Sequence, residues 1–226
     1  MAGGPSTNIA DAIARHARER PEALAVVMPA GRDAQGKRTY ATRTNRQLNA
    51  DVDRYARGLL SLGVARGAHA ALMVRPSLEF FALTFGLLRA GVVPVLIDPG
   101  IGRAQLGQCL AEARPEVFIG VPEAHAARVV LGWGRGTVHT LVTVGTPWFW
   151  GGHTLQDVAR AGDASDEVLT PVDGDDTAAI LFTSGSTGMP KAVINTQEMM
   201  TALGMPDRKS TRLNSSHVSE SRMPSS

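Results

Sequence analysis

Between Leu24 and Thr196, short apolar runs alternate with longer stretches of helical period, and this alternation constrains the fold more than any other feature. Strands separated by helices of about ten to fifteen residues need crossover connections. The stable solution is a mainly parallel sheet with helices on both faces, an α/β fold. Strands are expected at Leu24–Met28, Arg38–Ala41, Ala68–Val74, Val92–Ile97, Glu116–Gly120, Val138–Val144, Ala178–Phe182 and Ala192–Thr196. Helices are expected at 9–20, through the Leu48, Val52, Tyr55, Leu59, Leu62 repeat, from Ser77 to Ala90, and over Arg103–Ala113, Pro122–Leu131 and Thr154–Ala161. Gly63 and Gly91 sit where left-handed helix caps are needed, and Pro76 and Ser77 open a helix. Residues 145–153 form a Gly, Pro and Trp-rich loop, and the acidic stretch from Asp163 to Asp176 reads as a linker.

Composition excludes several classes. The 226 residues are 43% hydrophobic and 19% charged, enough for a sizeable core and against wholesale disorder. One cysteine, Cys109, rules out a disulfide framework or a multi-cysteine zinc site. The densest apolar stretch, around Ala90 to Ile97, is far too short to span a membrane. No signal or transit pattern opens the chain, so a cytoplasmic, soluble protein is the default. The net charge of +2 comes from the last twenty residues, which hold four basic and two acidic side chains; the body is balanced, 19 against 19. No basic, aromatic-interleaved stretch points to nucleic acid.

One segment carries chemistry. Thr183-Ser184-Gly185-Ser186-Thr187-Gly188-Met189-Pro190-Lys191 lies between two expected strands. Glycines let successive backbone N–H groups converge on phosphate oxygens. The hydroxyls of Thr183, Ser184, Ser186 and Thr187 add donors, and Thr183 is a candidate to touch a metal ion. Pro190 fixes the backbone before Lys191, which supplies positive charge and is one of only two lysines in the body, with Lys37. A Walker A loop runs from strand to helix with Lys directly after its last glycine. Here Lys191 lies three residues past Gly188 and a strand follows, so that reading fails. A plain hairpin with a polar turn is the other reading.

The run Thr183 to Lys191 resembles the phosphate-binding signature of the adenylate-forming, or AMP-binding, superfamily of acyl-CoA synthetases, peptide-synthetase adenylation domains and luciferases. The similarity covers residues 8–206 and includes the helix–strand pair Ser77 to Asp98. It implies the N-terminal part of the adenylate-forming fold. It also implies ATP and Mg2+ as cofactors, and a small-molecule carboxylic acid activated as acyl-adenylate with release of pyrophosphate. Thr183, Ser184, Gly185, Ser186, Thr187, Gly188, Pro190 and Lys191 would then hold nucleotide phosphates. A narrower similarity, carried by Arg75 to Phe81 and Pro94 to Gly102, is to olefin-pathway β-lactone synthetases. These act on a long-chain β-hydroxy acid whose own hydroxyl closes the ring. The rival within the family is a fatty-acyl-CoA ligase, so the use of coenzyme A stays open. A rival of another class is an inactive nucleotide- or partner-binding remnant.

The sequence departs from the pattern in three ways. Ala192 replaces the usual glycine after the lysine. Thr196-Gln197-Glu198 stands where a histidine is frequent. The later motifs, including the catalytic lysine, are not found, so no catalytic residue is assigned within this chain. Residues 1–175 are expected to form a first α/β subdomain ending in the acidic linker, and 176–206 the opening hairpin of a second, stranded without sheet neighbours. The run from Asp207 to His217 resembles the translation of a short-read sequencing adapter, and 207–226, with seven serines in twenty residues, is read as non-native.

Several other residues invite roles. Cys109 reads as a buried structural thiol, since no histidine is placed to activate it. His16, His69, His125, His139, His153 and His217 are scattered, with no metal-ligand spacing. Trp148-Phe149-Trp150 reads as a loop tucked onto the domain rather than a binding patch. Asp98 reads as a turn residue, and Arg75, at a strand end, stays unassigned.

Overall fold

The computed structural model describes residues 8–98, 100–169, 172–183 and 190–204, with backbone only at 203 and 204. In chain order the elements are α1 (Asp11–Glu19), β1 (Leu24–Arg32), β2 (Arg38–Thr44), α2 (Asn45–Ser61), β3 (His69–Met73), α3 (Leu78–Ala90), β4 (Val93–Ile97) and α4 (Arg103–Ala113). There follow β5 (Val117–Gly120), α5 (Pro122–Leu131), β6 (Thr140–Thr143), β7 (His153–Thr154), α6 (Leu155–Asp163), β8 (Thr177–Thr183), β9 (Lys191–Thr196) and α7 (Gln197–Gly204). Strands β1 and β2 form a separate antiparallel hairpin. The others form one seven-stranded sheet in the order β7-β6-β5-β3-β4-β8-β9, parallel except for the β8–β9 pair.

Alternation along the central strands explains the two-faced burial. Ala70 and Leu72 of β3 and Val117 and Ile119 of β5 point to one face, where Leu59 of α2, Leu83 and Leu87 of α3 and Val158 of α6 cover them. Ala71 and Phe118 point to the other face, against Leu110 of α4. Val93, Val95, Ile180 and Phe182 meet Cys109 and Ala113 of α4 on that same second face. Period-two strands buried on both sides give the near-continuous apolar runs seen in the sequence.

Caps set the helix limits. Ser77 accepts from the Phe80 N–H at the start of α3, and Gly91 ends that helix at φ 69°. Thr44 with Gln47, and Thr154 with Asp157, form capping boxes for α2 and α6. Pro122 opens α5 and Gly132 closes it at φ 69°.

The structure departs from the expected elements in three places. Strand β1 runs on to Arg32 through Pro29, which an edge hairpin tolerates because it carries a register shift between Pro29 and Gly31. Strand β7 and helix α7 carry too few residues for a periodic signal. The third is a correction: the hairpin 177–196 is not stranded without sheet neighbours. Strand β8 lies parallel to β4, with Val95, Leu96 and Ile97 opposite Ile180, Leu181 and Phe182. The apolar run of β8 is buried by joining the same sheet. Val193 and Ile194 on β9 are left as its exposed apolar edge, at 45% and 60%.

The 145–153 loop divides. Trp150 is tucked in: its ring stacks on His125 at 5.2 Å and its Nε1–H donates to Thr143 Oγ1 at 3.0 Å. Trp148 and Phe149 are exposed, so the tucked reading holds for one of the three. His125 is fully buried, edge-on to Phe118 at 5.0 Å. Its Nε2 lies 3.0 Å from the Val142 carbonyl, which can only accept, so Nε2 carries the proton and Nδ1 is bare and unpartnered. Burial, with Arg128 nearby, pushes its pKa below the ordinary 6.5. The sign follows: at low pH the unfolded chain binds a proton that the folded chain refuses. Stability is therefore complete above pH 6.5 and falls as pH drops below it, by up to about 1.4 kcal/mol per pH unit until the folded value is reached. Replacing His125 with Phe should flatten that acid limb in urea melts between pH 5 and 7; an unchanged limb would assign it to other groups.

Candidate functional site

The β8–β9 register brings the two ends of the Gly/hydroxyl segment together. Thr183 pairs with Lys191, so the intervening loop leaves and re-enters the sheet at a single point. Both residues are exposed, and Pro190 is half-buried. Among the described residues, the Thr183 hydroxyl makes no hydrogen bond and the Lys191 ammonium has no ion pair. Ser184, Gly185, Ser186, Thr187 and Gly188 lie outside the described residues, so the converging N–H groups expected there are not part of this description.

The location favours an anion. The loop follows the carboxyl end of β8, at the edge where β3, β4, β5 and β6 also end. In open α/β sheets that edge is where ligands bind. Helices α3, α4 and α5 follow β3, β4 and β5, so their N-termini sit along it and add positive potential. Strand β4 brings Asp98 beside the loop's root: the Asp98 N–H donates to the Phe182 carbonyl at 3.2 Å. The Asp98 carboxylate accepts from the Gly100 N–H at 2.8 Å, the turn role expected for it. Arg75 is exposed at the end of β3, two strand spacings (roughly 10 Å) from β8. No local signal in the sequence brings Asp98 beside the end of β8, or Arg75 to the same edge of the sheet, because the β4–β8 neighbourhood spans about eighty residues.

The donor set fits a nucleotide phosphate: one exposed hydroxyl, one exposed ammonium and no competing carboxylate pairing either. No group of three or more His, Cys, Asp or Glu that could hold a metal occurs among the described residues. A magnesium ion would therefore be held mainly by the phosphates and by residues beyond this description, with Thr183 the one hydroxyl here in place to join them.

The other candidates resolve as follows. Cys109 is buried at 2% exposure, and burial pushes its thiol pKa up, the opposite of an activated nucleophile. Gln197, in the Thr196-Gln197-Glu198 stretch that stands where a histidine is frequent in the resembling family, is buried at 2% exposure as the first residue of α7. Its Oε1 accepts from the Ile9 N–H at 3.5 Å, so this side chain ties the N-terminal segment to the sheet rather than facing the loop.

Comparison with known proteins decides the family. The sequence profile of the AMP-binding enzyme family matches residues 13–219. The chain belongs to the AMP-binding enzyme family. It is 51% identical over 189 residues to an olefin beta-lactone synthetase of Stenotrophomonas maltophilia, covering 83% of this chain and 34% of that protein. It is 32% identical over 192 residues to the long-chain-fatty-acid–CoA ligase FadD13 of Mycobacterium tuberculosis, covering 84% and 35%. Among solved structures, a Mycobacterium tuberculosis fatty acyl CoA synthetase superposes with TM-score 0.65 at 25% identity, covering 85% of this chain and 35% of that one. The adenylation domain of a Mycobacterium chelonae carboxylate reductase superposes with TM-score 0.73 at 22% identity, a likeness of fold. The chain thus spans about a third of the length of these relatives. No helix among the described residues is long and apolar enough to cross a membrane.

Proposed function

We propose that this chain is the phosphate-binding opening part of an ATP-dependent ligase that activates a carboxylic acid as an acyl-adenylate. The observation that carries the proposal is the Thr183–Lys191 pairing, which roots a Gly/hydroxyl loop at the carboxyl edge of a parallel sheet. Lys191 would neutralise charge on the nucleotide's outer phosphates as the substrate carboxylate attacks the α-phosphate and pyrophosphate leaves. Thr183, Ser184, Ser186 and Thr187 would orient those oxygens, with Gly185 and Gly188 allowing close backbone approach and Pro190 holding Lys191 in line. The work is positioning plus charge stabilisation. Mg2+, held with the phosphates, supplies further charge neutralisation when bound.

The 51% identity to a β-lactone synthetase, against 32% to a fatty-acyl-CoA ligase, favours a long-chain β-hydroxy acid as substrate, with its own hydroxyl resolving the adenylate. Coenzyme A would then be unnecessary. The gene product extended to the length of its relatives, given β-hydroxy acid and ATP, should release pyrophosphate equally with and without coenzyme A. A strict requirement for coenzyme A would move the assignment to an acyl-CoA ligase.

Residues 176–206 open the second part of this machinery, joined to residues 1–175 through the shared sheet, and residues 207–226 are a non-native extension. The family match runs to residue 219, into that extension, so long-read sequencing of the source DNA across codon 206 is the test. The 226-residue chain alone should show no ATP–pyrophosphate exchange, because the family's later motifs, including the catalytic lysine, are not found in its sequence. Exchange above a Lys191→Ala background would overturn that. On this reading the enzyme is cytoplasmic and its partners are a small-molecule carboxylic acid and ATP.

A further inference from the structure

On the second face of the sheet, helix α4 and the 131–137 turn line an open surface groove with a volume of about 730 Å³. Buried Leu110 and half-buried Gly107 and Trp133 form its apolar floor, with Ala104 and Leu131 exposed at the rim. Its polar lining residues are Arg103, Arg114 and Arg135 with Gln108 and Thr137, and no acidic residue lines it. None of the three guanidiniums has an ion pair or hydrogen bond among the described residues. Excess cationic charge around an apolar floor matches a ligand with the complementary pattern.

Two of these arginines sit where α4 would be more stable without them. Arg103 is the first residue of the helix, a cation at the positive end of the dipole, behind a Gly102 N-cap that offers no side-chain hydrogen bond. Arg114 ends the helix in the left-handed conformation at φ 47°, where α3 and α5 place Gly91 and Gly132. It is the one non-glycine residue at positive φ among the described residues. Local rules broken at both ends of one helix, with both side chains lining one groove, mark a site kept for binding.

We infer that this groove binds a single-chain amphipathic anion, its carboxylate or phosphate head on Arg114 and Arg135 and its tail along Gly107, Leu110 and Trp133. Arg103 lies about 16 Å from Arg114 along the helix axis, eleven residues at the usual rise. It closes the far end and adds attraction rather than sharing the head. The volume accommodates one such molecule, and the Trp133 indole lies so close to Gly107 that a Cβ there would stand 3.1 Å from Nε1. The inference does not rest on the adenylation reading, and its readout is binding.

The test is equilibrium dialysis of the full chain with dodecanoate and dodecyl phosphate below their micelle concentrations, with dodecyltrimethylammonium as the cation of equal tail. Thermal melts of Arg114→Gly and Arg103→Glu accompany it. Saturable binding of the anions but not the cation is expected. Arg114→Gly, which removes a head contact, should weaken it roughly tenfold or more, and Arg103→Glu by less, both leaving Tm unchanged or higher. Preference between the two anions tells which head the site takes. Absence of saturable binding, equal binding of the cation, or undiminished binding by the variants would overturn the inference. So would adsorption to phosphatidylglycerol vesicles without binding of the monomeric anions. Lower Tm in both variants would also sink it, because the arginines would then be structural.

Discussion

Gly162→Ala should lower the stability of the folded chain by about 3 kcal/mol, the upper end for overpacking, because the obstacle is backbone. Helices α2 and α6 cross through a pair of glycines. A Cβ on Gly162 would stand 2.8 Å from the Arg54 carbonyl carbon and 3.1 Å from the Gly58 nitrogen. A Cβ on Gly58 would stand 2.8 Å from the Val158 carbonyl carbon. Neither obstacle is a side-chain end that can rotate away, so α6 must lift off α2. Lifting it would break the Arg54–Asp163 ion pair at 2.8 Å and uncover Val158, which seals the core over Leu59. In a chain of this size the loss corresponds to a fall in Tm of roughly 6–12 °C. The Gly58→Ala, Gly162→Ala double variant should lose less than the sum of the two, because one displacement of α6 relieves both clashes. A Tm within 2 °C or so of the parent for Gly162→Ala would mean that the helices do not approach this closely.

That crossing illustrates what the sequence could and could not disclose. The α2 repeat Leu48, Val52, Tyr55, Leu59 is legible because burial on one helical face leaves a 3.6-residue period; Leu48, Val52 and Leu59 are core, with Tyr55 packed against them. Gly58 within that repeat and Gly162 near the end of α6 look like weak points of their helices, since a close approach leaves no mark except a small residue at each side. The limits of α3 and α5 are legible for the converse reason: Ser77, Gly91, Pro122 and Gly132 act within one turn of themselves. Strand neighbourhoods act over the whole chain. Nothing in Val93–Ile97 or Ala178–Phe182 says that they pair, and the expectation of a stranded hairpin failed on that point. The same gap hid the placement of Asp98 beside the end of β8 and of Arg75 on the same edge of the sheet. The groove at α4 was invisible because its signal is an arginine in a glycine's conformation, which only backbone angles reveal.

Lys191→Ala, made in the gene product of full length, should lower adenylate formation by about 10²–10³-fold while leaving Tm within 1 °C or so of the parent. The two halves of this prediction have different origins. The stability half follows from exposure: Lys191 is solvent-accessible at the first position of β9 and has no ion pair among the described residues, so its removal breaks nothing in the fold. The activity half follows from position. Pairing with Thr183 places the ammonium at the root of the loop, on the edge carrying the N-termini of α3, α4 and α5, where charge on transferring phosphates would develop. Lys191→Arg should recover part of the rate, since a point charge is replaced by a broader, planar one. Pyrophosphate exchange at saturating ATP reads the effect on turnover, and the same assay at low ATP separates it from binding. Loss of Tm in Lys191→Ala would make the residue structural and leave the loop a polar hairpin turn. Full activity with intact Tm would move the phosphate site to the other end of the loop, to Thr183 and the hydroxyls that follow it.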